Sequence, residues 1–286
     1  MREKLTVLIP CKNERKNIRL CIDSLQGLAD EILIADSGST DGTLDIIREI
    51  GGCRVIEREY VSQADFLNWA MPQATHAWVL IVDADERVTE RLAQDIRRVL
   101  ENPPEHLDGY WVSFKCFFMG HPLTFARFNT PAVRLVRRDR CRYAACRVHA
   151  EIAIPKQRAG RLKGKLLHYS YWSYDAYLHK YTQYTKLVAQ DRWERGKRVT
   201  LRGLLMRPML RFFFLYVIRL GFLDGLPGLQ VCMLTAFCNT FLKQCWLWEM
   251  EHALPQPDPE AEMILPFSGR QAGVSVRRDG RVVRRA

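Results

Sequence analysis

What this 286-residue chain lacks already narrows its reading. No CxxC pair occurs among its nine cysteines, so a structural zinc site is not expected. The set is odd and scattered: Cys11, Cys21, Cys53, Cys116, Cys141, Cys146, Cys232, Cys238 and Cys245. It fits reduced, mostly buried thiols in a reducing compartment better than a disulfide framework. Neither GxGxxG nor GxxxxGKS/T is present, which removes the main support for Rossmann cofactor binding and for P-loop phosphate transfer. Met1 to Lys4 is polar and Leu5 to Pro10 is too short an apolar run for a secretion signal, so a cytoplasmic protein is expected. No internal repeat is visible.

What is there describes an ordinary folded chain. Hydrophobic residues make up 48% and charged residues 26%, which excludes wholesale disorder and collagen-like or coiled-coil architecture. At roughly 150 residues per domain the length suggests one large domain, or one domain with an appendage. The net charge of +11 admits three kinds of partner: nucleic acid, an anionic membrane, or phosphorylated substrates.

Apolar runs at residues 5–10, 31–35, 53–57 and 77–82 read as strands. Helical spacing follows in Ile18, Cys21, Ile22 and Leu25, in Leu44, Ile46, Ile47 and Ile50, in residues 64–71, and in Leu92, Ile96, Val99 and Leu100. This alternation predicts parallel strands with helices on both faces. Ligands gather beyond the carboxyl ends of such strands, so the loops at 10–17, 36–42 and 83–87 should lie together. After Gly109 the pattern changes. Residues 110–118, 132–137 and 151–155 look like strands, and 177–193 looks like a helix.

Asp83-Ala-Asp85-Glu86 directly follows the apolar run Val79–Val82. Residues i and i+2 near a strand end project to one side, so Asp83 and Asp85 can converge. A divalent cation, Mg²⁺ or Mn²⁺, would relieve their repulsion and share its other positions with phosphate oxygens and water. The alternative is a solvated acidic turn before Thr89. Asp36 ends the second strand, where a carboxylate can accept a hydrogen bond from a base or ribose. The competing reading of residues 36–42 is a loop of turn formers with Asp41 capping a helix.

LTVLIPCKNE, ILIADSGSTDGT and WVLIVDADE, in this order and spacing, resemble the nucleotide-sugar domain of family 2 glycosyltransferases over residues 4–175. Asn68-Trp69-Ala70, Val148-His149, Leu167 to Trp172 and Leu223-Asp-Gly225 resemble the lipopolysaccharide-core β-1,4-glucosyltransferase branch. The resemblance implies a GT-A fold with a mostly parallel central sheet. It implies a first loop around the nucleobase at Pro10, Lys12 and Glu14, and base reading by Asp36, usually of uracil. Asp83 and Asp85 would hold the metal and the diphosphate, and His168 would complete the metal site. The catalytic base implied is Glu151. In the related branch a Glu directly follows the Val-His pair, whereas here Ala150 intervenes; Glu86 and Asp175 are the alternatives.

Residues 212–223 and 226–242 are apolar but interrupted by Arg219, Asp224, Pro227 and Gly228, and neither piece reaches the ~20 residues of a spanning helix. Seven basic residues, from Arg192 to Arg211, precede them. Interfacial helices on an anionic membrane are the favoured reading; a helical subdomain or dimer contact and a membrane hairpin are the alternatives. Nothing resembling a nucleic-acid recognition element accompanies the charge.

The expected organisation is a GT-A domain at 1–175, a basic, apolar, helical membrane-associating region at 176–252, and a linker with a disordered basic tail at 253–286. The expected activity is inverting transfer of a hexose from a UDP-sugar to a lipid-linked saccharide, lipopolysaccharide inner core, by a peripheral enzyme on the inner face of the cytoplasmic membrane. Transfer to a polyprenyl phosphate or another glycolipid, or a non-catalytic scaffold, are the alternatives.

Overall fold

Four apolar segments form the parallel half of a nine-stranded mixed sheet. They are β1 (Leu5–Cys11), β2 (Glu31–Asp36), β3 (Cys53–Glu57) and β4 (Trp78–Ile81), side by side in the order β3-β2-β1-β4. Their near-continuous hydrophobicity follows from burial on both faces. Val7 and Ile9 point to one face, into a core with Ile18, Cys21, Ile47, Leu92 and Ile96. These come from α1 (Ile18–Asp23), α2 (Thr43–Ile50) and α4 (Glu90–Glu101). Leu8 and Leu33 point to the other face, against Phe66 and Leu67 of α3 (Gln63–Ala70). Ser62 and Thr89 start α3 and α4 by accepting from the Asp65 and Leu92 N–H groups. The structure is a computed structural model, and it describes residues 2–125, 129–144, 151–252, 274–276 and 282–284.

The second half of the sheet turns antiparallel. β8 (Ala132–Arg137) pairs with β4, placing Leu135 opposite Leu80. Next come β6 (Gly109–Phe118), with the short β7 (His121–Leu123) paired to it, and then the long β9 (Ala159–Tyr171). Along β9, Leu162, Gly164 and Leu166 face inward between exposed Arg161, Lys163 and Lys165. α4 lies directly on this strand. A Cβ on Gly164 would come within 2.3 Å of the Leu92 backbone, and the Asp95 carboxylate accepts the N–H groups of Lys163 and Gly164 at 3.0 and 2.8 Å.

Details of the sheet depart from the sequence reading. Residues 83–87 were expected as loop, but Glu86–Val88 forms β5, antiparallel to β9 with Glu86 opposite His168. Residues 151–155 were expected as a strand, but only Ile152 pairs, in a single bridge to Tyr143. Val148 and His149 lie outside the described residues.

The helical region begins with α5 (Tyr174–Glu194) and α6 (Leu201–Phe213), the latter extended by a π-helical turn at Phe214–Ile218. α7 (Gly225–Ala236) and α8 (Leu242–His252) join through a second π turn, so Gly221–His252 is one 32-residue helical run containing an 18-residue window of mean hydropathy 1.3. The sequence reading breaks this stretch into 212–223 and 226–242, with Pro227 and Gly228 among the interruptions. Both fall in its first turns, where proline costs no hydrogen bond, and Gly228 packs so tightly that a Cβ would lie 2.1 Å from the Gly221 carbonyl oxygen. By length and composition the run could cross a membrane, with 39% of its apolar window buried.

Phe118 and Leu123 of the sheet share a core with Tyr177, Val231 and Cys238 of the helices. The Asp224 carboxylate accepts the N–H groups of Thr124 and Phe125 at 2.9 and 3.0 Å. Met1–Glu251 forms one compact unit. In His252–Ala286, β10 (Val274–Val276) pairs antiparallel with β11 (Val282–Arg284), where the sequence reading expects a disordered tail. The valines on both sides favour a strand; the linker beginning at Pro255 lies outside the described residues. Five of the eight described cysteines are buried.

Candidate active site

The loops after β1, β2 and β4 meet, as the parallel topology requires. The Asn13 N–H donates to Ser39 Oγ at 2.9 Å, the Thr40 N–H donates to Asn13 Oδ1 at 2.8 Å, and Arg87 Nη2 donates to Asn17 Oδ1 at 3.2 Å. Beyond them is an open cavity of about 280 Å³. Pro10, Glu14, Asp83, Asp85 and His168 line it, together with Gln63 and Lys180. Five expected site residues, separated by up to 158 positions in sequence, are therefore brought to one place.

Asp85 and His168 form the reactive edge. β9 carries His168 past the end of β4, leaving His168 Nε2 3.4 Å from Asp85 Oδ1 and 2.6 Å from Ser170 Oγ. Burial works against both charges, yet each holds the other. The Asp85 carboxyl is kept at about 2 by His168, with Lys180 and Arg134 contributing. His168 is pushed up to about 11 by Asp85 and by its contact with Cys116. Glu14 moves the other way: burial raises its pKa against the hydrogen bond from Asn17.

Asp83 is engaged differently. Arg134 on β8 donates from Nη2 to Asp83 Oδ2 at 2.8 Å and from Nη1 to Oδ1 at 3.4 Å. The same Nη2 donates to Glu86 Oε1 at 2.7 Å, and Glu86 Oε2 accepts the Asp83 N–H at 2.9 Å. One guanidinium thus serves two carboxylates. Burial is opposed most strongly by Arg134 at Asp83, whose carboxyl falls below the ordinary range; at Glu86, fully buried, burial wins and the carboxyl rises. Arg134 was not picked out from the sequence. Its signal was a cation among the apolar residues of Ala132–Arg137, at a position only 9% exposed. Lys180 was missed as well, because only the packing of α5 turns it to the cavity.

Three expected residues are not in this cavity. Asp36 is fully buried, and its carboxylate accepts the Gly38 and Ser39 N–H groups, each at 2.8 Å, and the Ser39 hydroxyl at 2.5 Å. It orders its own loop rather than offering a free oxygen to a base. Lys12 is exposed on the first loop. Glu151 lines a smaller neighbouring cavity of about 110 Å³ with Trp111, Arg134 and Tyr143, and Gln63 borders both cavities. Of the alternative bases, Glu86 is sealed behind Arg134, and Asp175 is exposed in the first turn of α5.

No three His, Cys, Asp or Glu side chains stand at metal-ligand spacing among the described residues. Asp85 and His168 do adjoin, and the cavity beside them leaves room for further oxygen ligands. This donor pair fits a hard cation that completes its shell with phosphate oxygens and water. Asp83, with both oxygens on Arg134, does not fit as a third ligand in this arrangement, contrary to the sequence reading.

This is the carboxyl-end site of a nucleotide-sugar transferase fold, and residues 6–142 match the family described as Glycosyl transferase family 2. These residues, just under half of the chain, resemble that family, and together with the relatives that follow they indicate a glycosyltransferase. The lipopolysaccharide core biosynthesis glycosyltransferase LpsC of Rhizobium meliloti is 29% identical over 245 residues, covering 81% of this chain and 90% of that one. An uncharacterized glycosyltransferase of Rickettsia felis is 28% identical over 260 residues, covering 86% of this chain and 90% of its own. Among solved structures, residues 1–349 of S. aureus TarS in complex with UDP-GlcNAc align over 82% of this chain and 79% of that one, at 16% identity and a TM-score of 0.43.

Proposed function

We propose that the protein transfers a hexose from a UDP-sugar, with inversion, to a lipid-linked saccharide of the lipopolysaccharide inner core. Residues 1–175 would form the donor half and residues 176–252 the part that meets the cytoplasmic face of the membrane. The observation that carries this reading is the meeting of Glu14, Asp85, His168 and Lys180 in one open cavity at the carboxyl ends of the parallel strands. LpsC, named for lipopolysaccharide core biosynthesis, supports the acceptor class.

A Mg²⁺ or Mn²⁺ ion held by Asp85 and His168 would stabilise the departing diphosphate as a Lewis acid. His168 must give up its proton to serve as a ligand, so binding would release one. Lys180 adds a positive charge in the same cavity for the phosphates. Arg134 restrains Asp83 and keeps the carboxylate charge behind the cavity from opposing an anionic substrate. Glu151 is the base that accepts the acceptor hydroxyl proton as oxygen attacks the anomeric carbon. It stands in the adjoining cavity, so the acceptor would approach past Gln63. A single displacement turns an α-linked donor into a β-linked product.

The test is UDP release from a panel of UDP-hexoses with Mg²⁺, Mn²⁺ or EDTA. Metal-dependent release from one donor, abolished in Asp85→Ala, is the expected result. If no UDP-sugar is turned over and calorimetry detects no UDP binding, the donor assignment is wrong.

A further inference from the structure

A larger cavity lies among α5, α6 and α8 and shares no lining residue with the donor cavity. It measures about 600 Å³, and a neighbouring cavity of about 350 Å³ shares Arg192 and Arg207 with it. Arg195, Lys197 and Arg198 complete the cationic lining of the first, and Arg211 and Lys243 that of the second. Asp191 is the carboxylate in the lining, and it is already paired with Arg195 at 3.0 Å. Among the described residues Arg192, Arg207, Arg211 and Lys243 make no ion pair.

Like charges gathered in a half-enclosed space repel unless a counter-charge joins them. Lys243 shows the strain: burial, with Arg192 and Arg211 adding, pushes its ammonium down to about 8. The floor is also incomplete. Gln244 is only 3% exposed and its Oε1 has no hydrogen-bond partner, and Asn239 Oδ1 in the second cavity is likewise buried without one. Since the two ends of an amide are assigned from the surrounding network, either side chain can turn an NH₂ to an anion.

The outer side of α6 points to the ligand's other half. Arg207 and Arg211 turn to the cavities, while Leu201, Leu205, Met209 and Phe213 are 73%, 59%, 67% and 53% exposed. A free phosphate would leave this apolar face in water, and a nucleic acid offers it no hydrocarbon. We propose that these joined cavities bind the phosphorylated head group of an anionic lipid, with the apolar face of α6 seated among the acyl chains. The inference rests on the membrane part of the function proposed above and adds to it a specific site.

The test is co-sedimentation of the full chain with vesicles of phosphatidylcholine, with and without phosphatidylglycerol. The wild type should bind the anionic vesicles, and Arg207→Gln/Arg211→Gln should bind them about tenfold more weakly. The charge-matched control Arg48→Gln/Arg98→Gln, at exposed helix positions, should stay within about twofold of wild type. Thermal melts establish that each variant is folded. Should the double variant not fold, Arg211→Gln and Lys243→Gln singly should each weaken binding about threefold. A wild type that ignores anionic vesicles overturns the membrane reading and the site together. Equal weakening of cavity and control variants, with wild-type binding intact, overturns the site alone. Displacement by millimolar inorganic phosphate at constant ionic strength overturns the lipid as the source of the anion.

Discussion

Arg134 Nη2 lies 2.7 Å from Glu86 Oε1, with the Arg134 side chain 11% exposed and the Glu86 side chain fully buried. The pair sits directly beneath the two aspartates of the candidate site. Its burial makes it costly to break, because removal of one partner strands the other's charge away from water. Arg134→Met should therefore destabilise the protein by about 3–5 kcal/mol in urea denaturation. Arg134→Lys should recover only part of that loss, since an ammonium cannot reproduce the forked contact with Asp83 and Glu86.

Asp85 is the main reason that His168 stays protonated. In Asp85→Asn the neighbouring negative charge is gone, and burial then acts against the proton with the Cys116 contact and the Glu86 charge left to oppose it. The imidazole pKa should fall far below its present value of about 11, and NMR titration of the His168 ring would show it. The same substitution should abolish metal-dependent UDP release.

Glu151→Gln separates the base from the donor site. Turnover with acceptor should drop by about a hundredfold or more, whereas UDP binding measured by calorimetry should be unchanged. A fall in both would place Glu151 in donor binding instead.

Glu31 offers a stability switch remote from catalysis. Burial would raise its carboxyl, but hydrogen bonds from Thr6, the Thr75 backbone and Arg54 outweigh it and bring the pKa from the usual 4.5 to about 2. A depressed carboxyl stabilises the fold above its unfolded pKa, and that contribution disappears as pH falls from about 4.5 towards 2. Glu31→Gln should cost about 1–2 kcal/mol at pH 7, allowing for solvent screening, and the gap from wild type should close on acidification.

The parallel half of the sheet could be read almost directly, because strands buried on both faces are continuous apolar runs and helix starts such as Thr89 are marked by their capping side chains. The meeting of Asp83 and Asp85 with the first loop followed from topology. Other features were harder to read. β5 is a three-residue strand, Glu86-Arg-Val88, whose charges look like loop until Arg134 and β9 are known to cover them. Lys180 reaches the cavity through helix packing that no local pattern encodes. Asp36 was expected to face a base, yet the Ser-Gly-Ser that follows it supplies the donors that turn its carboxylate inward. β9 was not among the strands read from the sequence: charge on every other residue between Leu162, Gly164 and Leu166 disguised a strand that is buried on one face only.

Gly164 stands four residues before His168 on that strand. Strand side chains alternate, so a slip of one position would carry the imidazole to the far face of the sheet, away from Asp85. α4 guards against this, since only glycine fits beneath Leu92 and the Asp95 carboxylate grips the two backbone N–H groups at that point. The alignment of the candidate metal ligands is thus indexed by a notch farther back on the same face of the strand, in a place no substrate would touch.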